Sequence, residues 1–389
     1  MLPAVAGFMV LVHLYVWWRL VWSATAHRPT RVVSLLALVP LTLLGVLSVR
    51  ALLAVSFPAW LAWTGFLWVG TVCYLAFWLV VLEIPRAVGT LLPLRRGTAG
   101  DGTARRTGTG PRTRPRVLSI VALLATGATV GYGLHSALGT PNVHEAEIPV
   151  RGLAPGLSGL RVAVLSDTHL WPFLGEEEVR RAVEIINDND PDLVVLAGDL
   201  VDAPVERIGD DVAPLADLRA EHGVVFVTGN HEYYHSSGDL ESWTKRLGEL
   251  GVRVLRNERV TVEQEGARLD VAGVNDAAGH AHGDGPDYEA ALGGRDEDVP
   301  VVLVAHTPAQ VFEAVEYGVD LQISGHTHGG QTVPLSYLRA RETPVLSGLG
   351  RVADTRLYVT NGAGFYGPPL RVGVPPQIGL LTLRPDPAP

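Results

Sequence analysis

Residues 161–169 read Arg-Val-Ala-Val-Leu-Ser-Asp-Thr-His, a short apolar run that ends in two potential metal ligands. A run of this length predicts a buried β-strand. Open α/β sheets form their sites beyond the carboxyl ends of the strands, so Asp167 and His169 lie where chemistry is expected. This stretch therefore predicts the fold class, α/β, together with the location of a functional site.

The same pattern recurs along the chain up to residue 330. Each apolar run ends in oxygen or nitrogen ligands, and helices are predicted between the runs, near residues 176–189, 211–221 and 240–248. The later clusters are Gly198-Asp199 with Asp202, Gly229-Asn230-His231-Glu232, His306, and Gly325-His326-Thr327-His328. The glycines allow tight turns that bring neighbouring loops together. The pattern predicts a mixed sheet, or two sheets face to face, with one convergent site.

The first 140 residues differ in composition from the rest of the chain. They hold 12 Arg and two acidic residues, whereas residues 141–389 hold 19 basic and 38 acidic residues. Four apolar stretches, residues 3–22, 32–55, 59–82 and 117–138, are long enough to cross a bilayer core of about 30 Å. We therefore expect a transmembrane anchor of about four helices over residues 1–140. Buried helices of a soluble bundle, and a cleavable signal peptide for the first stretch, are the alternatives.

Arginines are concentrated in the loop of residues 85–116, which carries eight Arg and one acidic residue. Its Gly, Thr, Arg and Pro content predicts a disordered linker, with contact to anionic lipid headgroups as the alternative. Basic loops favour the cytoplasmic side, so the domain after residue 140 is expected to be extracytoplasmic. The excess of Arg over Lys is typical of a high-GC bacterium. The predicted location is thus a bacterial cell membrane, with multiple spans.

The order Asp-x-His, Gly-Asp-x-x-Asp, Gly-Asn-His-Glu, His and Gly-His-x-His resembles that of the calcineurin-like metallophosphoesterases, over about residues 160–365. The segment 325–331, and the tail around residues 364–369 with Arg371, resemble the membrane-associated bacterial branch of that superfamily. The resemblance implies a four-layer αββα sandwich of mixed sheets over residues 141–389. It also implies a hydrolase of phosphomonoester, phosphodiester or pyrophosphate bonds.

The resemblance further implies two divalent metal ions, with Asp199 bridging them. One ion would be held by Asp167, His169, Asp199 and His328, and the other by Asp199, Asn230, His306 and His326. These ligand types suit Mn²⁺, iron or Zn²⁺, with Mg²⁺ less favoured. Cys73 is the only cysteine, which argues against a thiolate site. Two such ions would lower the pKa of a bridging water, and the resulting hydroxide would attack phosphorus.

His231 follows the predicted ligand Asn230 and is the candidate to protonate the leaving group. Asp202 is expected to orient His231 or a ligand, with a helix or turn cap as the alternative. Tyr233 and Tyr234 follow the same motif and are expected to line a substrate groove or to pack. The histidines outside the strand-end pattern are predicted to be surface residues: His222, His235, His280 and His282. No organic cofactor is predicted, because no phosphate-cradling Gly-rich loop with a Lys is present.

A membrane anchor favours a phosphoester substrate that is membrane- or envelope-associated, such as a lipid-linked one. A soluble nucleotide or phosphosugar is the alternative of the same class. A non-catalytic metal-binding scaffold, and a transporter with a regulatory domain, are alternatives of other classes. Filled ligand positions argue against the first, and few polar groups in the spans argue against the second. Nucleic acid is not expected as a partner, because residues 141–389 carry a net charge of −19.

Overall fold

The computed structural model describes residues 2–51, 58–91, 113–171, 173–234 and 237–386. The chain divides into two compact units, Met1–Ala51 with Trp60–Gly133 and Leu52–Ala59 with Leu134–Pro389. Most of the basic loop expected to be disordered, residues 92–112, lies outside the described residues.

The described part of the first unit contains four long helices. They are α1 (Leu2–Trp17), which continues into a π-helical turn at Trp18–Trp22, α2 (Arg28–Ala51), α3 (Ala59–Leu91) and α4 (Thr113–Ala137). Each contains a segment long and apolar enough to span a membrane: Pro3–Trp22, Arg28–Ser48, Ala59–Pro85 and Val117–Ala137. The predicted helical membrane region is therefore confirmed, although the second span begins at Arg28 and not at residue 32.

Polar side chains within these helices pair with one another. Arg19 forms an ion pair with Glu83, which joins the end of the first span to α3. The indole N–H of Trp78 donates to the hydroxyl of Thr129 at 3.0 Å and joins α3 to α4. Because an unpaired polar group is costly in a bilayer, these pairs explain how the spans carry charged and polar residues.

The second unit consists of strands connected mainly by short helices. Its strands are β1 (Asn142–Val150), β2 (Arg161–Leu165), β3 (Leu193–Leu196), β4 (Val224–Phe226), β5 (Val252–Val254), β6 (Glu258–Gln264), β7 (Ala267–Gly273), β8 (Val301–Val304), β9 (Leu321–Ser324), β10 (Gly348–Val352), β11 (Thr355–Val359) and β12 (Gln377–Pro385). Among the described residues they form two six-stranded sheets, in the orders β1-β12-β2-β3-β4-β5 and β10-β11-β9-β8-β7-β6. Both sheets mix parallel and antiparallel pairs.

The two sheets pack face to face over one apolar core. Val164 and Val195 of the first sheet and Val271, Val304 and Ile323 of the second sheet belong to this core and are fully buried. Alternate residues of β2 and β3, such as Leu165, face the opposite side of the sheet and join a second core. Strands that are buried on both faces read as continuous apolar runs, which explains the pattern in the sequence.

Helices lie on the outer faces of both sheets and beyond the strand ends. They are α5 (Glu176–Asn187), α6 (Val205–Ile208), α7 (His231–Tyr234), α8 (Ser237–Glu249), α9 (Tyr288–Leu292), α10 (Val311–Glu316) and α11 (Leu335–Arg339). Val183 of α5 and Trp243 of α8 pack on the first sheet, and Leu292 of α9 packs on the second. The αββα sandwich expected from the motifs is thus confirmed.

One predicted helix is absent from the described residues. Residues 211–221 were expected to be helical, but only Ala213–Asp217 forms a turn of 3₁₀-helix there. Pro214 lies in its first turn and Leu218 is already extended. Proline supplies no backbone N–H, and 3₁₀-helix is used in short pieces. The connection between β3 and β4 is therefore more compact than the apolar spacing suggested.

Candidate metal centre

The strands that carry the motifs end at the same edge of their sheets. β2, β3 and β4 are parallel neighbours, and β8 and β9 are parallel neighbours in the other sheet. The structure brings all the predicted site residues together beyond these ends. Except for the partly buried His326, they are buried: Asp167, His169, Asp199, Asp202, Asn230, His231, His306 and His328.

The loops that hold these residues have an unusual backbone. Five predicted ligands have left-handed φ angles of 46° to 69°: Asp167, His169, Asp199, His326 and His328. Residues other than glycine seldom adopt this conformation, and such strain is found mainly at functional sites. Gly198 also has a positive φ, of 87°, and a Cβ atom there would lie 2.6 Å from Nδ1 of His306. The glycine is therefore required where two loops meet.

One group of ligand atoms lies between β2 and β9. Nε2 of His169 is 3.0 Å from Nε2 of His328, and Nε2 of His328 is 3.4 Å from Oδ1 of Asp167. These three side chains offer ligand atoms that all lie within 4.8 Å of one another. Oδ2 of Asp199 is 3.8 Å from Nε2 of His169, which places a further carboxylate beside the group.

A second group shares Asp199. The carboxylate of Asp199, His306 and His326 offer ligand atoms within 4.8 Å of one another, and Oδ2 of Asp199 lies 3.1 Å from Nε2 of His306. The side-chain oxygen of Asn230 is 2.8 Å from Nδ1 of His326. Asp199 therefore lies between two sets of potential ligands. These are the residues that the resemblance implies as ligands, and His231, predicted as a general acid, forms a further group with His169 and Asp199.

His306 shows whether this donor set suits a cation. Its ring is fully buried, and Nδ1 donates to the carbonyl oxygen of Ala197 at 2.8 Å. Nε2 faces Asp199 but lies outside hydrogen-bond geometry, so it has no hydrogen-bond partner in the described structure. Burial lowers the pKa of His306, but the Asp199 carboxylate outweighs it and raises the pKa well above its usual value. A positive charge is thus stabilised at Nε2, and a divalent cation fits there.

Asp202 contacts two of the histidines. Its Oδ1 atom accepts a hydrogen bond from Nδ1 of His231 at 2.6 Å and lies 3.2 Å from Nδ1 of His169. Burial alone would raise the pKa of Asp202, but His231 and His169 hold it below its usual value. Burial alone would lower the pKa of His231, whereas Asp202 and Asp199 raise it to about 9. The two carboxylates therefore favour the imidazolium form of His231.

Glu232 contributes to the site although its role was not predicted from the sequence. Its carboxylate is buried and accepts hydrogen bonds from the backbone N–H groups of Gly229, Leu200, Asp199 and Val201 at 2.6, 2.8, 3.0 and 3.3 Å. Burial and the nearby Asp199 raise the pKa of Glu232 to about 7, against the effect of these N–H groups. The carboxylate holds the loops after β3 and β4 together. Its place in the Gly-Asn-His-Glu motif was the only signal.

Arg371 is the second residue with an unpredicted role. Its side chain is fully buried and donates to the carbonyl oxygens of Gly364 and Asn361, each at 2.8 Å. Nη2 also lies 3.2 Å from Nδ1 of His328. Burial lowers the pKa of Arg371 to about 10. The residue fixes the loop after β11 against the ligand His328. The sequence offered only its position in the tail, with no pattern that gives its contacts.

Aromatic rings surround the mouth of the site. The ring of Tyr366 lies 4.7 Å from that of His231 and 5.5 Å from that of His169. Tyr234 is half exposed and its ring is 4.7 Å from His231, so it lines the mouth. Tyr233 instead packs inside and donates to Asp284 at 2.9 Å. Of the two alternatives expected for these residues, Tyr234 thus lies at the mouth of the site and Tyr233 packs in the interior.

The histidines that were predicted to be surface residues do not join the site. His280 and His282 are exposed and His222 is partly exposed, whereas His235 lies outside the described residues. The ring of His282 stacks on Tyr233 at 5.8 Å, on the segment after β7. Among the described residues, the groups able to hold a metal ion all use the predicted strand-end residues.

Comparison with known proteins identifies the family. Residues 160–330 match the model of the calcineurin-like phosphoesterase family. A protein of Danio rerio called "Transmembrane protein with metallophosphoesterase domain" is 33% identical over 396 residues, which cover 97% of this chain and 87% of the relative. An uncharacterized metallophosphoesterase of Helicobacter pylori (strain J99) is 35% identical and covers 66% of this chain and 69% of its own. The chain belongs to the calcineurin-like metallophosphoesterases.

A solved structure is also similar to part of this chain. The phosphopantetheinyl hydrolase of Mycobacterium tuberculosis is 14% identical and has a TM-score of 0.35, over 56% of this chain and 96% of that one. A likeness this low carries no argument about activity. The family and the buried Asp and His groups together indicate a phosphoester hydrolase that uses divalent metal ions. The apolar helices and the transmembrane relative show that it is a membrane protein.

Proposed function

We propose that this chain is a two-metal phosphoesterase anchored in a bacterial membrane. Residues 1–140 form the anchor, and residues 141–389 form the catalytic domain on the extracytoplasmic side. The observation that carries the proposal is the position of Asp199, whose carboxylate belongs to the group with His306 and His326 and lies 3.8 Å from Nε2 of His169, a member of the group with Asp167 and His328. A carboxylate shared in this way is the arrangement that two-metal hydrolases need to hold two cations close together.

The ligands divide into two sets around Asp199. Asp167, His169 and His328 complete one set, and Asn230, His306 and His326 complete the other. The absence of a thiolate favours Mn²⁺, iron or Zn²⁺. When bound, such ions supply Lewis acidity and an activated water at neutral pH. Glu232 binds the backbone of the ligand loop at Gly229, and Arg371 contacts the ring of the ligand His328.

His231 is the proposed general acid. Its Nδ1 atom is occupied by Asp202 at 2.6 Å, so Nε2 is the atom that faces the site, 4.0 Å from Oδ2 of Asp199. As the bond between phosphorus and the leaving oxygen breaks, the proton on Nε2 passes to that oxygen and leaves a neutral imidazole. The raised pKa of His231 supports this role, because the imidazolium is the form present at neutral pH.

The aromatic mouth supports an ester with an organic leaving group. Tyr234 and Tyr366 flank His231 and provide flat apolar faces beside the atom that donates the proton. The membrane anchor favours substrates at the membrane or in the envelope over soluble nucleotides and phosphosugars. A non-catalytic metal-binding scaffold is the alternative of another class.

Hydrolysis by the full-length chain in detergent tests the proposal. Bis- and mono-(p-nitrophenyl) phosphate are offered with Mn²⁺, and bound metal is counted by mass spectrometry. We expect turnover that a chelator abolishes and two metal ions per chain. Asp199→Asn should lose metal and activity, and His231→Gln should retain metal but slow turnover. Two bound ions without turnover on either ester would favour the scaffold, and no bound metal would overturn the proposal.

The orientation has a separate test. Alkaline phosphatase or a cytoplasmic fluorescent reporter is fused after Thr140, since alkaline phosphatase is active only outside the cytoplasm. Phosphatase activity without fluorescence is the expected result. Fluorescence without phosphatase activity would place the catalytic domain in the cytoplasm and would leave the hydrolase itself untouched.

A further inference from the structure

The helix α11 exposes large apolar side chains close to the metal centre. Leu335, Tyr337 and Leu338 are 57%, 70% and 59% exposed, whereas Ser336 between them is buried. Single exposed apolar residues are common on protein surfaces, but three within one helical turn form a patch. We refer to Leu335, Tyr337 and Leu338 as the α11 patch.

The α11 patch is fixed relative to the metal centre. Gln331, just before α11, donates to the carbonyl of Tyr366 and accepts from its N–H group, both at 3.0 Å. The ring of Tyr366 in turn contacts that of His231. A Cβ atom on Gly330 would collide with Ser336, so the start of α11 lies directly against the loop of His328. The patch therefore belongs to the rim of the site.

The membrane-spanning helix α4 ends beside the same site. Ala137, the last residue of the span, is 3% exposed and belongs to the core that includes Val179 and Phe365. Residues 137–139 and Pro141 line a cavity together with Thr168 and Gly364. Thr168 stands between the predicted ligands Asp167 and His169. Residues 137–139, which belong to the second unit, thus line the same cavity as the metal-binding loop.

The connection from the span to the catalytic unit is short. Four residues separate α4 from β1, and a chain of this length reaches no more than about 18 Å when fully extended. Because Ala137 itself is packed in the core, these four residues do not form a long flexible linker. The catalytic unit is therefore joined to the spanning helix by a short connection, and the α11 patch lies on the rim of its metal-binding loops.

We propose that the α11 patch rests in the interfacial layer of the bilayer and presents lipid phosphoesters to the metal centre. This inference rests on the proposed hydrolase and specifies the surface from which its substrate is taken. Leu and Tyr are residues that enter the boundary between headgroups and acyl chains, where an apolar body and a polar tip are both satisfied. The occupant of the patch is the lipid surface itself.

Charge supports a bilayer as the occupant. Arg339 and Arg341 follow the patch, against one acid, Glu342, and neither arginine has an ion-pair partner among the residues that the structure describes. Basic residues beside an interfacial helix attract anionic headgroups. Residues 141–389 carry a net charge of −19, so most of their surface is repelled by an anionic bilayer. The α11 patch, with Arg339 and Arg341 beside it, is a part of the surface at the mouth of the site that an anionic bilayer attracts.

A fluorescence experiment tests contact with lipid independently of activity. Leu338→Cys is labelled with a fluorophore in a full-length Cys73→Ala background, reconstituted in vesicles that contain spin-labelled phosphatidylglycerol. Phe312→Cys, on α10 and 57% exposed, is the matched control. We expect quenching at position 338 that is several-fold stronger than at position 312. Equal quenching at both positions would overturn the proposal, as would energy transfer between labelled chains without lipid quenching, which would identify a second copy as the occupant.

A kinetic experiment tests the consequence for substrate. The double variant Tyr337→Ser/Leu338→Ser is compared with Phe312→Ser and the unaltered chain, on phosphatidic acid in vesicles and on bis-(p-nitrophenyl) phosphate in water. Loss of two exposed apolar side chains that insert into the bilayer should lower the lipid rate about tenfold or more and change the soluble rate by less than about twofold. An equal loss of rate on both substrates, or no loss on the lipid, would overturn the role of the α11 patch but not the proposed hydrolase. No turnover by the unaltered chain on either substrate would instead overturn the proposed hydrolase.

Discussion

The carboxylate of Asp202 accepts a hydrogen bond from Nδ1 of His231 at 2.6 Å, and both side chains are buried. The pairing fixes which nitrogen of the ring faces the metal centre and favours the charged imidazolium. It gives Asp202 a positioning role, since it acts on the substrate only through His231. Removal of the carboxylate is therefore expected to change proton delivery more than metal binding.

Asp202→Asn tests this positioning role. The variant keeps the size of the side chain but removes its charge, so we expect kcat to fall about 10- to 100-fold on esters with poor leaving groups. The effect on p-nitrophenyl esters should be smaller, because a good leaving group needs no proton. Asp188→Asn, on the exposed end of α5, is the control. Equal losses on both kinds of ester would indicate a purely structural role.

The pH profile follows from the charge of His231. Its pKa of about 9 lies above the usual value, so the proton is present at neutral pH and is lost as the pH rises through that value. A bound cation offsets part of the charge of Asp199, so the fall in activity should occur at or below about pH 9. Profiles of kcat on alkyl phosphate esters should show this alkaline limb. The limb should be absent in His231→Gln, and its persistence there would assign it to another group.

Glu232→Ala should destabilise the catalytic unit. The substitution leaves several buried backbone N–H groups without an acceptor, and each such group costs about 1–3 kcal/mol. We expect a lower melting temperature by tryptophan fluorescence, with weaker metal binding because the loops of Asp199 and Asn230 are released. Glu249→Ala, on the exposed end of α8, should have no such effect. An unchanged melting temperature would mean that the loops are held by other contacts.

Arg371→Lys should weaken the metal set that contains His328. A lysine cannot reproduce the planar fork that reaches both Gly364 and Asn361, so the exchange is not conservative here. We expect bound metal to fall from two ions towards one per chain, measured by mass spectrometry. Arg384→Lys, an exposed residue of β12 that pairs with Glu147, is the control. Retention of both ions would limit Arg371 to a packing role.

The metal centre could be predicted from the sequence because its residues follow strands that are recognisable alone. β2, β3 and β8 are buried on both faces and therefore appear as apolar runs, β9 is equally buried although it contains Gln322 and Ser324, and each strand is followed within a few residues by its ligands. The glycines at 198 and 325 then indicated close approach of the loops. This local information was sufficient to name the residues that offer ligand atoms there, but not Glu232 or Arg371, which hold their loops.

Features that depend on distant contacts were not predictable in the same way. Arg371 reaches the carbonyl of Asn361 and the ring of His328, and no periodicity in the sequence records such a fit. β1 has exposed, largely polar residues at its start and takes its place at the sheet edge only by pairing with β12. The predicted helix at residues 211–221 failed because apolar spacing was weighed above Pro214. The structure of these regions depends on contacts between distant residues and on the geometry of proline.

The burial of Ala137 has a consequence for how this protein can be divided. Ala137, in the last turn of α4, belongs to the second unit and to the apolar core that supports α5, so this unit begins inside the helix and not at β1. A fragment cut at residue 142 would expose Val179 and Ala182 where that turn had been. A soluble version should therefore retain residues 134–137, or carry a polar replacement on α5. Proteolytic cleavage just before β1 would likewise expose apolar residues of the core in the released domain.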